Sequence, residues 1–227
     1  MAEPFKIVFI LYPRLTQLDF TGPYEILSRL PGVEVIVASK EGGTLASETG
    51  LQFAGLTRLA NISHADMICI PGGPGQTEAM QDMEFMSDVR RLGEGARYVT
   101  SVCTGSLILA AAGLLNGKRA ACHWAYREML GLFGAIPDAA RVVRDGDAIT
   151  GGGVTAGIDF GLTVAAELRG PAVAQTLQLM LEYAPAPPFD SGRPETAPPE
   201  ILESAQERFA AFAKARAQAM QEIAARA

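Results

Sequence analysis

A cysteine at a predicted strand-to-helix turn is the residue whose setting most favours covalent chemistry. Cys103 follows the apolar run 98–102 and stands two residues before Gly105, where a helix is predicted to begin. Such a turn lifts the side chain above the sheet, and a glycine there avoids a Cβ clash with the tight backbone. Helix N-terminal amides favour a thiolate, so the pattern predicts a nucleophile with a lowered pKa. The alternative is a buried structural cysteine.

An acidic residue after the first predicted strand is the candidate partner of this thiol. Asp19 lies between Leu18 and Phe20 and is expected at the same edge of the sheet as Cys103. Apolar neighbours raise the pKa of a carboxyl group, and a carboxylate repels a thiolate. The two groups are therefore predicted to share one proton and to supply an acid and a nucleophile together. Asp19 also fits a simpler role as the N-cap of a helix over 21–30.

Two glycine-rich turns are candidates for substrate binding. The amides of Gly72 and Gly73, with that of Thr104, are predicted to form a hole for negative charge on a substrate. Gly152, in the cluster 151–153, is expected to pack closely beside the site. The first turn lacks the Lys-Ser/Thr ending of a phosphate loop, and the second follows a hairpin and has no acidic ribose anchor. Nucleotide binding is therefore not expected.

The remaining cysteine, histidine and tryptophan residues give weaker signals. His123 and Trp124 follow a short predicted strand near the same sheet edge and are candidate substrate contacts, although His123 also fits a structural role. Cys122 either lines the pocket or packs in the core, and Cys69 lies in an apolar strand and is predicted to be structural. Three cysteines, two histidines and no CxxC pair predict neither a zinc cluster nor a disulfide framework.

Composition limits the classes of function that the chain could have. Of its 227 residues, 48% are hydrophobic and 19% charged, and the net charge of −6 disfavours a nucleic-acid partner. The early apolar run 7–12 is far too short for a membrane span of about 20 residues, so no membrane partner is expected. The sparse cysteines and the absence of a signal-peptide pattern make a cytoplasmic location the expectation.

Short strands alternate with amphipathic helices along most of the chain. This order predicts a three-layer α/β sandwich, in which a mostly parallel, flavodoxin-like sheet has helices on both faces. The predicted strands are 6–12, 33–39, 67–70, 98–102, 119–122 and an antiparallel hairpin of 142–144 and 148–150. The predicted helices are 21–30, 84–94, 105–115, 126–133, 157–168 and 172–182.

The end of the chain differs in composition from the rest. Clustered prolines after Ala184 predict an extended connection, and a last helix is predicted from Pro199. The expected organisation is one α/β domain over 1–189, followed by the segment 190–227. The apolar stripe of the last helix packs either on its own domain or on a second subunit.

Several of these motifs resemble the ThiJ/PfpI superfamily. The resemblance rests on the elbow 101–106, the segments 111–115 and 118–119, and His123-Trp124. Within the superfamily, the segments 17–23, 71–73, 150–153, 155–160 and 181–189 resemble the branch that hydrates isocyanides. The protease-like branch has His directly after the cysteine, where this chain has Thr104, and this difference argues against peptidase chemistry.

The resemblance implies that a homodimer hydrates an organic isocyanide to an N-substituted formamide, without a metal or an organic cofactor. Cys103 would attack the isocyanide carbon while Asp19 supplies the proton, and water activated by Asp19 would release the formamide from a thioimidate. The amides of Gly73 and Thr104 would orient the substrate, and the Thr104 hydroxyl would hold Asp19 or water.

Other classes of function stay open on the sequence alone. Similar domains serve as ligand sensors in transcription regulators, where the elbow is kept for shape. The segment after Pro199 offers one helix and no basic surface, too little for a helix-turn-helix pair. A stress-response enzyme or holdase would be expected to carry Glu at position 19, and another cysteine-dependent hydrolase or lyase is also compatible with the elbow.

Overall fold

Strands and helices alternate as the sequence predicts. The computed structural model describes residues 3–225, without the side chains of 211–215. The strands are β1 (Phe5–Leu11), β2 (Val33–Ser39), β3 (Gly43–Ala46), β4 (Gln52–Arg58), β5 (Met67–Ile70), β6 (Tyr98–Val102), β7 (Arg119–Ala120), β8 (Ile136–Pro137), β9 (Val142–Asp145) and β10 (Ala148–Gly151). The helices are α1 (Gln17–Leu27), α2 (Gln76–Gln81), α3 (Met83–Gly95), α4 (Gly105–Ala111), α5 (Ala156–Arg169), α6 (Pro171–Met180) and α7 (Pro199–Ala224).

One eight-stranded sheet organises the fold, in the order β3-β4-β2-β1-β5-β6-β10-β9. Pairing is parallel from β4 through β2, β1, β5 and β6 to β10, and antiparallel where β3 and β9 form the two edges. The short strands β7 and β8 form a separate parallel pair. Since the strands that carry the site are parallel, their carboxyl ends meet at one edge of the sheet.

Helices cover both faces of the sheet. Helices α1, α5 and α6 pack together, and α2, α3 and α4 form a second group. Strand β1 lies between the two groups, and residues 7–11 have no exposed surface because both faces are covered. A strand buried on both sides carries a continuous apolar run, which the sequence shows here. The predicted three-layer, mostly parallel α/β sandwich is confirmed.

Some element boundaries differ from the prediction. Helix α1 begins at Gln17 instead of residue 21, so Asp19 lies in its first turn and is not its N-cap. Helix α4 ends at Ala111, before Gly113 with its φ of 79°. The predicted helix 126–133 is a 3-10 helix, Arg127–Phe133. Strands β3, β4 and β8 and helix α2 were not predicted.

The last helix packs on its own chain. Helix α7 contacts α2 and the 3-10 helix Arg127–Phe133. Met220 of α7 is fully buried and its sulfur lies 3.8 Å from Nε2 of Gln76. No helix within residues 3–225 is both long enough and apolar enough to cross a membrane.

Candidate active site

Cys103 stands on a strained turn between β6 and α4. Its φ is 59°, a left-handed conformation that residues with a Cβ rarely adopt. The Cys103 amide donates to the carbonyls of Gly151 (3.0 Å) and Gly152 (2.9 Å) on the neighbouring strand. A Cβ at Gly105 would lie 2.1 Å from the carbonyl oxygen of Ile70, so only glycine fits there. The predicted nucleophile elbow is confirmed, and it presents the sulfur at the sheet edge.

Asp19 meets Cys103 beside the first glycine turn. The carboxyl group is fully buried, and its Oδ2 accepts a hydrogen bond of 3.0 Å from the amide of Gly72. A Cβ at Gly72 would lie 2.8 Å from Oδ2 of Asp19 and 2.8 Å from Cβ of Cys103. The missing side chain of Gly72 therefore lets the thiol and the carboxyl group come together. We call Cys103 and Asp19 the thiol–carboxyl pair.

Burial sets the protonation of Asp19. It raises the pKa of this carboxyl group to about 7, because the carboxylate loses its water; hydrogen bonds from the Cys103 thiol and the Gly72 amide oppose the shift. Oδ1 has no hydrogen-bond partner of ordinary geometry among the described residues. The predicted rise in the pKa of Asp19 is confirmed.

The pKa of Cys103 moves in the direction opposite to the prediction. Burial raises the pKa of this thiol well above its usual value, and the negative charge of Asp19 adds to the rise. The amides of Thr104 and Val154 stabilise the thiolate but do not outweigh burial. The prediction of a lowered pKa was therefore wrong. At neutral pH the Cys103 thiol keeps its proton, and the neighbouring Asp19 carboxylate is placed to accept it.

The first glycine turn holds the pair and leaves little for a substrate. The Gly73 amide donates to Oγ1 of Thr104 at 3.0 Å, and the Gly72 amide already binds Asp19. Both amides therefore have partners within the protein, which disfavours the predicted anion hole at this turn, and the Thr104 hydroxyl accepts from Gly73. The amides that face the Cys103 sulfur are those of Thr104 and Val154. Sequence reasoning missed Val154, although it directly follows the second glycine cluster.

Cys103 opens into a cavity of about 750 Å³. Residues from the loop after β1, the first glycine turn, the elbow, the segment after Cys122 and helix α7 surround it. The lining residues are Arg14, Thr16, Glu48, Gly73, Pro74, Thr77, Glu78, Cys103, Thr104, His123, Tyr126, Val154, Ala205, Arg208, Phe209 and Arg216. Gly73 and His123, two of the predicted substrate contacts, are among them.

The other predicted substrate contacts lie behind the cavity wall. Gly72 holds Asp19, and the Gly152 carbonyl holds the Cys103 amide. Trp124 packs against the His123 ring, with ring centroids 5.7 Å apart. Gly72, Trp124 and Gly152 are thus not among the lining residues, and their contact with a substrate stays a prediction.

The other two cysteines are buried. Burial raises the pKa of both Cys69 and Cys122 to about 12. Cys69 lies inside β5, in agreement with its predicted structural role, and Cys122 is close enough to Cys103 to raise the pKa of that thiol further. Within residues 3–225, no group of three or more Cys, His, Asp or Glu side chains is arranged to hold a metal ion.

His123 is a neutral member of the cavity wall. Burial lowers the pKa of its imidazole to about 4, and the positive charge of Arg216 adds to this effect. The Ala125 amide donates to Nδ1 at 3.3 Å, so the proton of the neutral ring is assigned to Nε2. His123 thus offers an uncharged aromatic surface at neutral pH instead of a cationic acid.

Helix α7 supplies the part of the cavity that sequence reasoning missed. Ala205, Arg208, Phe209 and Arg216 all line it. The apolar stripe of this helix was visible in the sequence, but the stripe alone did not reveal that it would cover the elbow. No local pattern links residue 209 to residue 123, because only the path of the Pro-rich connection brings them together.

The chain belongs to the DJ-1/PfpI family, whose model matches residues 5–167. It is 51% identical over 221 residues to an isonitrile hydratase of Pseudomonas putida, and 97% of each chain is covered. A crystal structure of a ThiJ/PfpI family protein from Pseudomonas syringae superimposes with a TM-score of 0.92 at 40% identity, covering 97% of this chain and 90% of that one. The resemblance inferred from the motifs is confirmed.

A regulator is also similar over part of its length. The HTH-type transcriptional regulator CdhR of Pseudomonas aeruginosa is 29% identical over 175 residues, which cover 73% of this chain and 51% of the regulator. The similarity to the isonitrile hydratase, in contrast, extends over nearly the whole of both chains. Helix α7 lies outside the residues that the family model matches.

Proposed function

We propose that this protein hydrates organic isocyanides to N-substituted formamides, with Cys103 as the nucleophile and Asp19 as the proton acceptor and donor. The observation that carries the proposal is the thiol–carboxyl pair: a buried acid with a pKa of about 7 stands beside a cysteine on a strained elbow. The 51% identity to an isonitrile hydratase supports the same reaction.

In the first step the thiol adds across the terminal isocyanide carbon. As the sulfur attacks, the thiol proton passes to the Asp19 carboxylate, which then delivers it to the same carbon. An S–C bond and a C–H bond form, and the product is the thioimidate R–N=CH–S–Cys103. The raised pKa of Asp19 suits this exchange, because an acid that titrates near neutral pH both accepts and gives up a proton readily.

In the second step water releases the product. Asp19, again a carboxylate, takes a proton from water while the hydroxide adds to the thioimidate carbon, and it passes this proton to the nitrogen. The C–S bond then breaks as the added hydroxyl group becomes the carbonyl, Asp19 transfers the hydroxyl proton to the sulfur, and R–NH–CHO leaves. The two steps add one water molecule in all. Because the side chains of Cys103 and Asp19 carry every proton, the reaction needs no metal or organic cofactor.

Backbone amides assist wherever the sulfur carries charge. The amides of Thr104 and Val154 stabilise negative charge on Cys103, during the attack and again as the C–S bond breaks. The elbow and the loop after β10 hold both amides, so they need no rearrangement during the reaction.

The direct test follows formation of the formamide from cyclohexyl isocyanide by mass spectrometry. Cys103→Ala is expected to lose turnover by at least about 1,000-fold and Asp19→Asn by at least about 100-fold, because each removes one member of the pair. Cys69→Ala is the matched control, since it removes a buried cysteine from the neighbouring strand β5 and should keep turnover. Circular dichroism would check that each variant is folded.

Turnover that survives in Cys103→Ala would refute the mechanism. Binding of the isocyanide by wild type without any formamide would refute the activity and favour a ligand-sensing role. An adduct of intact mass equal to protein plus isocyanide is expected on Cys103, since the whole molecule adds in the first step.

A further inference from the structure

An aromatic surface stands in the same cavity as the reactive sulfur. The ring centroid of Phe209 lies 5.4 Å from that of His123 and 5.7 Å from that of Tyr126, in edge-to-face arrangements. All three residues line the cavity with Cys103. We call His123, Tyr126 and Phe209 the aromatic wall. Edge-to-face pairs of this kind are favourable and give the wall a defined shape.

Further contacts hold the rings of the wall in place. The guanidinium group of Arg216 lies 4.3 Å from the ring centroid of Tyr126, within the range of a cation–π contact. Trp124 packs behind the wall, with its ring centroid 5.4 Å from that of Phe209. His123 is neutral at neutral pH because burial lowers the pKa of its imidazole. The wall therefore offers an ordered, apolar face without a formal charge of its own.

Three of the charged side chains that line the cavity, Arg14, Glu48 and Glu78, have partners of their own. Arg14 binds Glu78, with 2.9 Å between Nη1 and Oε1, and the Thr16 hydroxyl donates to Glu48 at 2.7 Å. A charged substituent on the substrate would have to compete with these pairs, whereas an apolar one leaves them intact. Arg208 and Arg216 also line the cavity, so the preference for a neutral substituent belongs to the aromatic wall and not to the whole cavity.

The shape of an isocyanide directs its substituent away from the sulfur. The C–N≡C unit is linear, so when its terminal carbon meets Cys103 the substituent extends into the cavity. We infer that Phe209 is a specificity-determining residue, which selects isocyanides that carry an aromatic or cyclic apolar substituent. The inference rests on the proposed function and identifies the class of substrate that the site prefers.

The wall can be altered separately from the chemistry. Phe209 comes from α7, whereas both members of the thiol–carboxyl pair lie within the residues that the family model matches. Phe209 is partly exposed, and its ring packs on His123, Trp124 and Tyr126, none of which belongs to the elbow or to the first glycine turn. A change at Phe209 should therefore alter the choice of substrate more than the rate of the bond-making steps.

The test compares kcat/KM for benzyl isocyanide and methyl isocyanide. Phe209→Ala is expected to lower kcat/KM for benzyl isocyanide by about tenfold, mainly through KM, and to change the value for methyl isocyanide by less than about threefold. Phe209→Leu, which keeps apolar volume at this position, should recover part of the loss. Phe189→Ala is the matched control, because Phe189 is 79% exposed and does not line the cavity.

The possible results separate the inference from the proposed function. If wild type hydrates neither isocyanide, the proposed function fails. If wild type hydrates both and Phe209→Ala lowers both values equally, or changes neither, the inference fails and the proposed function stands. Thermal unfolding of each variant shows whether α7 still docks, and Phe209→Leu decides the matter if Phe209→Ala is unstable.

Discussion

Cys103 of the thiol–carboxyl pair lines the same cavity as the aromatic wall, but the pair and the wall are positioned by different means. Main-chain contacts fix the pair: Cys103 donates to two strand carbonyls, and Asp19 accepts from the Gly72 amide. The wall is held mainly by ring packing, where Phe209 from α7 packs on the segment after β7. Backbone contacts leave little freedom for error, whereas a packed ring can shift. From this difference we expect the thiol–carboxyl pair to determine the reaction and the aromatic wall to determine which substrates bind.

The energetic cost of the buried pair should be measurable through pH. The pKa of Asp19 is about 7 in the folded protein and about 3.9 in an unfolded chain. Between these values the folded protein keeps a proton that the unfolded chain has lost, so the free energy of unfolding falls as pH rises. The fall is about 1.4 kcal/mol per pH unit, or about 4 kcal/mol over the interval.

Asp19→Asn should remove this fall, because the amide resembles the protonated acid and does not titrate. Urea denaturation from pH 4 to pH 7 would show the variant gaining stability relative to wild type at each step. If the free energies of unfolding of wild type and Asp19→Asn changed in parallel with pH, Asp19 would not titrate as a buried acid. The contrast drawn between the thiol–carboxyl pair and the aromatic wall would then be wrong.

Substitutions at two glycines, one beside the thiol–carboxyl pair and one beside the aromatic wall, compare the rigidity of the two parts of the site. A Cβ at Gly72 would lie 2.6 Å from the Thr104 amide nitrogen, a backbone atom that cannot easily move. A Cβ at Gly153 would lie 2.8 Å from Cδ2 of His123, which belongs to a side chain. We expect Gly72→Ala to cost about 3 kcal/mol of stability and at least about 100-fold in turnover, against about 1 kcal/mol and less than about tenfold for Gly153→Ala. Equal losses in the two variants would contradict a difference in rigidity.

The smallest effect is expected at the edge of the wall. Arg216→Ala removes the cation–π contact with Tyr126 and should lower the free energy of unfolding by about 0.5–1 kcal/mol. Turnover of methyl isocyanide should stay within about twofold of wild type. Gln218→Ala, at an exposed position on the same helix, is the control and should change neither quantity. A large loss of turnover in Arg216→Ala would show that the wall takes part in the chemistry.

The parts of the fold that could be predicted are those with strong local signals. Strands β2, β5 and β6 were predicted at their exact bounds, because Val or Ile recurs in each of them and these residues are typical of strands. Strands β3 and β4 were missed because exposed and buried residues are mixed in them and glycines interrupt both. Helix α1 was placed too late because Pro23 lies within the helix instead of near its start.

The sequence by itself determined the class of fold and the identity of the thiol–carboxyl pair. A cysteine before Thr-Gly at the end of a strand needs only local backbone geometry to become an elbow. The apolar neighbours of Asp19 likewise signalled a raised pKa before any contact was known. These signals are readable because each depends on residues that are adjacent in the chain.

The tertiary structure alone decided the sign of the shift at Cys103, the acceptors of the Gly72 and Gly73 amides and the placement of Phe209. Each of these depends on atoms far apart in sequence: burial of the thiol requires the closed sheet edge, and the wall requires α7 to return across it. Burial of the Cys103 thiol and the packing of the Phe209 ring arise only once the chain has folded, so no local pattern could supply them.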